Sequence, residues 1–125
     1  MASKTVMTVH HTSACIELPL VGFGTGNSTV EPCEVGDAVE KALTAGVCHL
    51  DCAPLYGNQT AVGDAVARCK LASGDARATV WVTSKLWVTD FAPEHVEPAC
   101  RHTLKELQVG RVHLHHAHSA MFSGQ

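Results

Sequence analysis

The stretch HLDCAPLYGNQ, residues 49–59, leads from a short apolar run into a loop. The run Val47 to Leu50 ends at Asp51, and the loop that follows holds Pro54 and Tyr56. In parallel α/β folds the carboxyl ends of strands are where side chains and loops converge on a ligand. This stretch therefore predicts both a fold class and the position of a site.

Strand and helix patterns alternate on either side of it. Regular alternation of this kind predicts parallel pairing through right-handed crossovers, and hence an α/β fold. The predicted elements in chain order are a hairpin (Val6 to Val9 and Cys15 to Leu18), a strand (Leu20 to Phe23), a helix with apolar positions from Val35 to Leu43, a strand (Val47 to Asp51), a helix around Val62 to Cys69, a strand (Thr79 to Lys85), a helix from Pro93 with the inner face Val96, Cys100, Leu104 and Leu107, and a strand (Val112 to Ala117).

Composition places the chain among single soluble domains, taken as residues 1–125. It has 125 residues, 46% hydrophobic and 17% charged, with a formal net charge of -3. The basic residues are scattered, which predicts no nucleic-acid partner and no membrane-surface partner. No apolar run is long enough for a membrane span or a secretory signal, so we expect the cytoplasm. Six cysteines without a CxxC pair indicate free thiols.

Four polar residues are placed for acid-base chemistry. Asp51 closes a short apolar run, Lys85 closes a β-branched run, His118 closes the run Val112 to Ala117, and Tyr56 lies in the first loop. A carbonyl that receives a hydride also needs a proton. A tyrosine with its usual pKa of about 10 is a poor donor, but a nearby ammonium favours the phenolate. Lys85 is placed to do this, with Asp51 as its counter-charge. Taken singly, each residue is as well explained by capping, solvation or packing.

The surrounding motifs distinguish these readings. Residues 49–59 and the run Val82-Thr83-Ser84-Lys85-Leu86-Trp87 resemble signatures of the aldo-keto reductase family. So do Gly22-Phe23-Gly24-Thr25, residues 37–46, Pro93-Glu94 and residues 103–108, and the resemblance extends from about Ile16 to His118. It implies an NADP-preferring oxidoreductase that reduces aldehydes or ketones. The implied fold is a TIM (β/α)8 barrel, of which this chain supplies the first four strands and three helices after an N-terminal hairpin.

The resemblance also assigns roles by position. It makes Tyr56 the general acid, with Lys85 and Asp51 tuning it. His118 orients the substrate carbonyl. The resemblance further implies that the NADP nicotinamide and its ribose are contacted by Gly24, Thr25 and Asp51. It implies that the substrate is bound by Leu55, Trp87 and His118.

Length leaves alternatives open. A TIM barrel typically needs about 250 residues, so the chain corresponds to a truncated half-barrel whose partner groups for the cofactor would lie elsewhere. It is then either an active reductase fragment or an inactive interaction module, and its exposed sheet edges favour self-association. The histidine-rich strand offers a third alternative, since His116 and His118 share a predicted face and are spaced to share a zinc ion, but no third ligand is evident and no metal residue is assigned.

Overall fold

The computed structural model describes residues 6–11, 14–26, 29–74 and 79–118. Short 3-10 turns occupy Pro54–Tyr56 and Val88–Asp90. The strands and helices are β1 (Val6–His11), β2 (Ala14–Pro19), β3 (Phe23–Gly24), α1 (Pro32–Thr44), β4 (His49–Asp51), α2 (Gln59–Ser73), β5 (Trp81–Trp87), α3 (Pro93–Leu107) and β6 (Leu114–His118).

Two sheets are present in the part of the chain that the structure describes. β1 and β2 form the predicted antiparallel hairpin, whose turn residues 12 and 13 lie outside the described ranges. The main sheet has the order β3-β4-β5-β6, and every neighbouring pair in it is parallel. The prediction of an α/β fold with four parallel strands and three helices is confirmed.

Backbone chemistry explains where the helices begin and end. Pro32 and Pro93 occupy the first turns of α1 and α3, where the missing N–H of proline costs no helical hydrogen bond. At the other ends, Gly46 and Gly74 follow α1 and α2 with φ of 95° and 64°, a left-handed conformation that glycine adopts without strain.

The core lies between the helices and one face of the sheet. The backbones of α2 and α3 lie close together. A Cβ added at Gly63 would lie 2.6 Å from the carbonyl oxygen of Glu106. Leu107 of α3 lies at this close approach and is buried in the core. The buried cluster comprises Val35, Val39, Leu50, Cys52, Val62, Ala65, Val66, Val82 and Leu107.

The predicted face of α3 is only partly correct. Val96 is exposed, and Cys100 and Leu104 are half-buried, whereas Thr103 and Leu107 are almost completely buried. Thr103 and Leu107 are four residues apart and therefore share one helical face. The buried face of α3 thus includes Leu107, which lies against α2, and a polar threonine at one of its positions.

All four strands of the main sheet begin later than predicted, and β4 and β5 begin at His49 and Trp81 rather than at Val47 and Thr79. The strand predicted at Leu20 to Phe23 is reduced to Phe23–Gly24, because β2 continues to Pro19 and the chain bends at Leu20. Leu20 and Val21 are instead 54% and 65% exposed. In the last strand, pairing begins at Leu114, while Val112 packs against the core.

β5 extends beyond its predicted end. Lys85 was expected to close the strand, but Leu86 and Trp87 continue the pairing with β6. Lys85 therefore lies inside the strand, two residues before its end. Within the described ranges, none of the helices is long and apolar enough to cross a membrane.

Candidate active site

Asp51 and Tyr56 are brought together by a tight connection after β4. Asp51 is the last residue of the strand, Cys52 and Ala53 are buried, and a 3-10 turn then carries Tyr56 back over the sheet. Gly57 ends the turn with φ of 65°. The apolar pair anchors the loop to the core, so Asp51 and Tyr56 face the same edge of the sheet.

Lys85 joins these two residues. Its ammonium donates to Oδ1 of Asp51 at 2.7 Å, to the carbonyl oxygen of Cys52 at 2.8 Å and to the Tyr56 hydroxyl at 3.2 Å. An ammonium has three donors, and these three acceptors use all of them. The Lys85 side chain is 13% exposed, whereas that of Asp51 is 43% exposed, so the carboxylate remains open to solvent on its other side.

The charge of Lys85 is maintained by this arrangement. Burial is the largest single effect and acts against the charged form, but the hydrogen bonds and charge interactions with Asp51 and Tyr56 together exceed it, so the pKa of Lys85 is raised above its ordinary value. The site therefore holds a permanent cation against a phenol oxygen at neutral pH.

Thr25 holds the backbone of Asp51 in place. Its N–H and its Oγ1 hydroxyl both donate to the Asp51 carbonyl oxygen at 3.0 Å. The carbonyl of Thr25 in turn accepts from Nδ2 of Asn58 at 2.8 Å, and both side chains are buried. Two loops are thus linked around Asp51.

His118 contacts the ring of Tyr56 from strand β6. Its ring is in edge contact with Trp87, with centroids 5.5 Å apart, and with Tyr56, with centroids 6.3 Å apart. Nδ1 of His118 is buried without a hydrogen-bond partner among the described residues. The parallel register of β5 and β6 produces this contact, because it places Trp87 directly opposite His118.

The ring of Tyr56 packs on the backbone of Gly26. A Cβ added at Gly26 would lie 2.8 Å from Cζ of Tyr56, a distance too short for any side chain to occupy without movement. Among the residues that the structure describes, a Cβ added at Gly24 would meet nothing within 4 Å. Of these two glycines, Gly26 is therefore the one that the position of the tyrosine requires.

Buried Cys52 lies beside the charged residues. Burial and the neighbouring Asp51 charge raise the pKa of its thiol to about 11, although a hydrogen bond with Thr25 and the charge of Lys85 act in the other direction. Five of the six cysteines (Cys33, Cys48, Cys52, Cys69 and Cys100) are free thiols, as predicted, and the structure does not describe the side chain of Cys15.

Six of the eight residue positions named from the sequence converge at this edge of the sheet: Asp51, Tyr56, Lys85, His118, Trp87 and Thr25. Gly24 pairs with Asp51 in the register of β3 and β4, and Leu55 is 52% exposed on the turn before Tyr56. The sequence prediction did not include Asn58 or Gly26. An asparagine just before a helix is more typical of a helix cap than of a link between loops, and nothing local in the sequence indicates the ring above Gly26.

For the zinc alternative, the residues that the structure describes provide no third ligand. Within the described ranges, no three His, Cys, Asp or Glu side chains are grouped so that they could hold a metal ion.

Comparison with known families gives this geometry its context. A model described as the Aldo/keto reductase family matches residues 20–123. The chain belongs to the aldo/keto reductase family. Its curated relatives in that family include aldo-keto reductase family 1 member A1 of Mus musculus and of Homo sapiens, which are 46% and 44% identical to it over 104 residues.

These matches cover 82% of this chain but only 31% of each relative, so the chain spans about a third of their length. The solved aldose reductase of Schistosoma japonicum is 38% identical with a TM-score of 0.75, over 88% of this chain and 38% of that one. The Bombyx mori aldo-keto reductase in complex with NADP is 29% identical with a TM-score of 0.79, over 89% and 36%. The fold is accordingly part of an aldo-keto reductase TIM barrel.

Proposed function

We propose that residues 1–125 form the N-terminal part of an NADP-dependent oxidoreductase that reduces the carbonyl group of an aldehyde or ketone. The observation that carries this proposal is the position of Lys85, whose ammonium contacts both the Tyr56 hydroxyl and the Asp51 carboxylate. Membership in the aldo/keto reductase family supports the reaction class.

Tyr56 is the proposed general acid. Its hydroxyl gives a proton to the developing alkoxide, which leaves a phenolate 3.2 Å from a fixed ammonium. Opposite charges at that distance in a partly buried site attract strongly, so Lys85 lowers the cost of proton release. Asp51 keeps Lys85 charged and in position through the 2.7 Å ion pair.

His118 and Trp87 are proposed to bind the substrate together with Leu55. Their aromatic contact fixes the imidazole beside the phenol, where it can orient a carbonyl oxygen toward the Tyr56 hydroxyl. The exposed Leu55 side chain adds an apolar surface at the same edge. Such a combination suits a small molecule with an apolar body and one polar end.

Gly24, Thr25 and Asp51 are the residues proposed to contact NADP. The open space above Gly24 leaves its backbone accessible, and the Asp51 carboxylate keeps an exposed face suited to a ribose hydroxyl. Thr25 has its hydroxyl committed to the Asp51 carbonyl, so its part is to hold this loop in shape. When bound, the cofactor supplies the hydride to the carbonyl carbon. The NADP complex of the Bombyx mori relative supports this cofactor.

The unpaired sides of β3 and β6 are proposed as association surfaces. In the described part of the sheet each of them pairs with one neighbour only. Exposed edges of this kind favour pairing with a further strand, either from the remainder of a barrel or from a second copy. Free thiols among the described cysteines support a reducing compartment, and the cytoplasm is the proposed location.

A non-catalytic module is the competing proposal, since the chain spans only 31% of its curated relatives. Binding and turnover separate the two. NADPH fluorescence on titration with the chain, followed by NADPH oxidation with an aromatic aldehyde, is the direct test. Oxidation that depends on the aldehyde is the expected result, and binding without oxidation would favour the non-catalytic module.

A further inference from the structure

His113 makes an unusual double contact with β5 immediately before β6 begins. Its backbone N–H donates to the Val82 carbonyl oxygen at 2.7 Å. In return, the Val82 N–H donates to the imidazole Nδ1 of the same residue at 3.0 Å. A side chain thus supplies the acceptor that a backbone carbonyl normally supplies in a parallel ladder. The ring also lies against Trp81, with centroids 4.4 Å apart.

This contact requires a neutral imidazole. A backbone N–H can donate only to a nitrogen with a free lone pair, so the proton of the ring must be on Nε2. Nε2 is buried without a hydrogen-bond partner among the described residues. Protonation of Nδ1 would place two N–H groups against each other and break the contact with Val82.

The surroundings oppose a positive charge on the ring. Two ionisable groups act on it in the described part of the chain: Arg111, from the segment before β6, and His49, from β4, while β5 presents the uncharged Trp81 and Val82. Burial first, and then these two groups, lower the pKa of His113 below its ordinary value. Around neutral pH the ring is therefore in its acceptor form.

Beyond its backbone pairing with β5, the strand that follows is held by few buried side chains among the described residues. Residues 114–117 are exposed, and His118 is half-buried. Yet the register of β6 decides the site, because it sets Leu114 opposite Thr83 and His118 opposite Trp87. A slip by one residue would turn the His118 side chain to the other face of the sheet.

We propose that His113 is a positioning residue for His118: its neutral imidazole extends the β5–β6 ladder by one link and so fixes the register that brings His118 beside Trp87 and Tyr56. The part of this inference that concerns catalysis rests on the proposed role of His118. Because the pKa of the folded form is lowered, the link is fully present above the ordinary histidine pKa of 6.5 and is lost as the pH falls through the lower value. Acid therefore releases this link between β5 and β6.

Two substitutions separate the acceptor from the ring. His113→Asn places an amide oxygen close to the position of Nδ1, which keeps the acceptor but cannot titrate in this range. His113→Phe keeps a ring against Trp81 but has no acceptor. His115→Asn is the matched control, because His115 is a nearby histidine on an exposed position of β6.

The measurement is amide NMR of the full chain between about pH 5 and 8, with hydrogen exchange at Val82 and the ring contact between Trp87 and His118 as readouts. In the unmodified chain and in His115→Asn, the Val82 resonance should shift with acid and its protection should fall by about two- to tenfold, the range expected for one hydrogen bond. In His113→Asn the Val82 resonance and its protection should both be independent of pH. In His113→Phe the protection of Val82 should be reduced over the whole pH range.

Acid sensitivity that persists in His113→Asn, or full Val82 protection in His113→Phe, would overturn the proposal. If His113→Phe does not fold, the pH response of His113→Asn decides the question alone. None of these readouts needs turnover. A chain with the Val82 response but without NADPH oxidation would contradict the proposed function and leave the register role of His113 supported.

Discussion

The ammonium of Lys85 donates to the Asp51 carboxylate at 2.7 Å, although the sheet register pairs Asp51 with Thr83, two residues earlier on β5. The long lysine side chain spans this offset and reaches Tyr56 as well. Asp51 is therefore the counter-charge of a residue that lies further along the neighbouring strand, and one ammonium connects the strand, the loop and the phenol.

Replacing Asp51 by asparagine should lower the pKa of Lys85. The amide removes the negative charge that favours the ammonium, whereas the burial that opposes it remains. Carbon NMR titration of the lysine side chains measures this, and Lys85→Arg identifies the signal. Glu97→Gln, which breaks only the exposed pair with Arg101, is the control and should leave the pKa of Lys85 unchanged. An unchanged titration in Asp51→Asn would refute the ion pair.

A methyl group at Gly26 should displace the ring of Tyr56. The added Cβ would lie 2.8 Å from Cζ, so the ring must move. Since Tyr56 is the only tyrosine, its ring signals in the NMR spectrum can be followed without overlap. Gly24→Ala is the matched control, because its Cβ meets nothing within 4 Å. Unshifted tyrosine signals in Gly26→Ala would show that the ring does not pack on this backbone.

Leu50→Ala should lower the free energy of unfolding by about 2–5 kcal/mol. Leu50 has no exposed surface and lies in the core cluster beneath the site, so truncation leaves a cavity. Leu71, which is 84% exposed on α2, provides the control, and Leu71→Ala should change stability by less than about 0.5 kcal/mol. Denaturant unfolding measures both. Equal effects of the two substitutions would mean that the core is placed wrongly.

Cys52 should resist alkylation in the folded chain. Its pKa of about 11, compared with 9.0 for an ordinary thiol, reduces the reactive thiolate about 100-fold at neutral pH, and burial blocks the reagent. Exposed Cys33 should react first. Mass spectrometry after iodoacetamide treatment, with and without denaturant, measures the order. Native labelling of Cys52 as fast as Cys33 would contradict the buried position.

Much of the fold could be predicted from the sequence, because each helix has an apolar face and a glycine or proline near its end. The first and last residues of the strands could be predicted less well than the helices. Periodicity does not show which backbone groups have partners, so the apolar Leu20 and Val21 suggested a strand where the chain bends into solvent. Likewise, Lys85 suggested a strand end, although pairing with β6 carries β5 on to Trp87.

The candidate site was predictable as a set of residues but not as a network. The motifs around Asp51, Tyr56 and Lys85 are local in sequence, and so resemblance could identify them. The link from Asn58 to Thr25 spans 33 residues, and the contact of His113 with Val82 spans 31. Contacts of this length depend on how loops and strands pack, for which a single sequence carries no signal.

Turnover by Tyr56→Phe is the most direct test of the central claim that Tyr56 supplies the proton. Phenylalanine keeps the ring on Gly26 and removes only the hydroxyl that Lys85 contacts. We predict that the unmodified chain oxidises NADPH in an aldehyde-dependent reaction. In Tyr56→Phe the rate of this oxidation should fall by at least about 100-fold. NADPH fluorescence titration should show unchanged binding. Survival of this oxidation in Tyr56→Phe would contradict the claim. So would the absence of any oxidation by the unmodified chain.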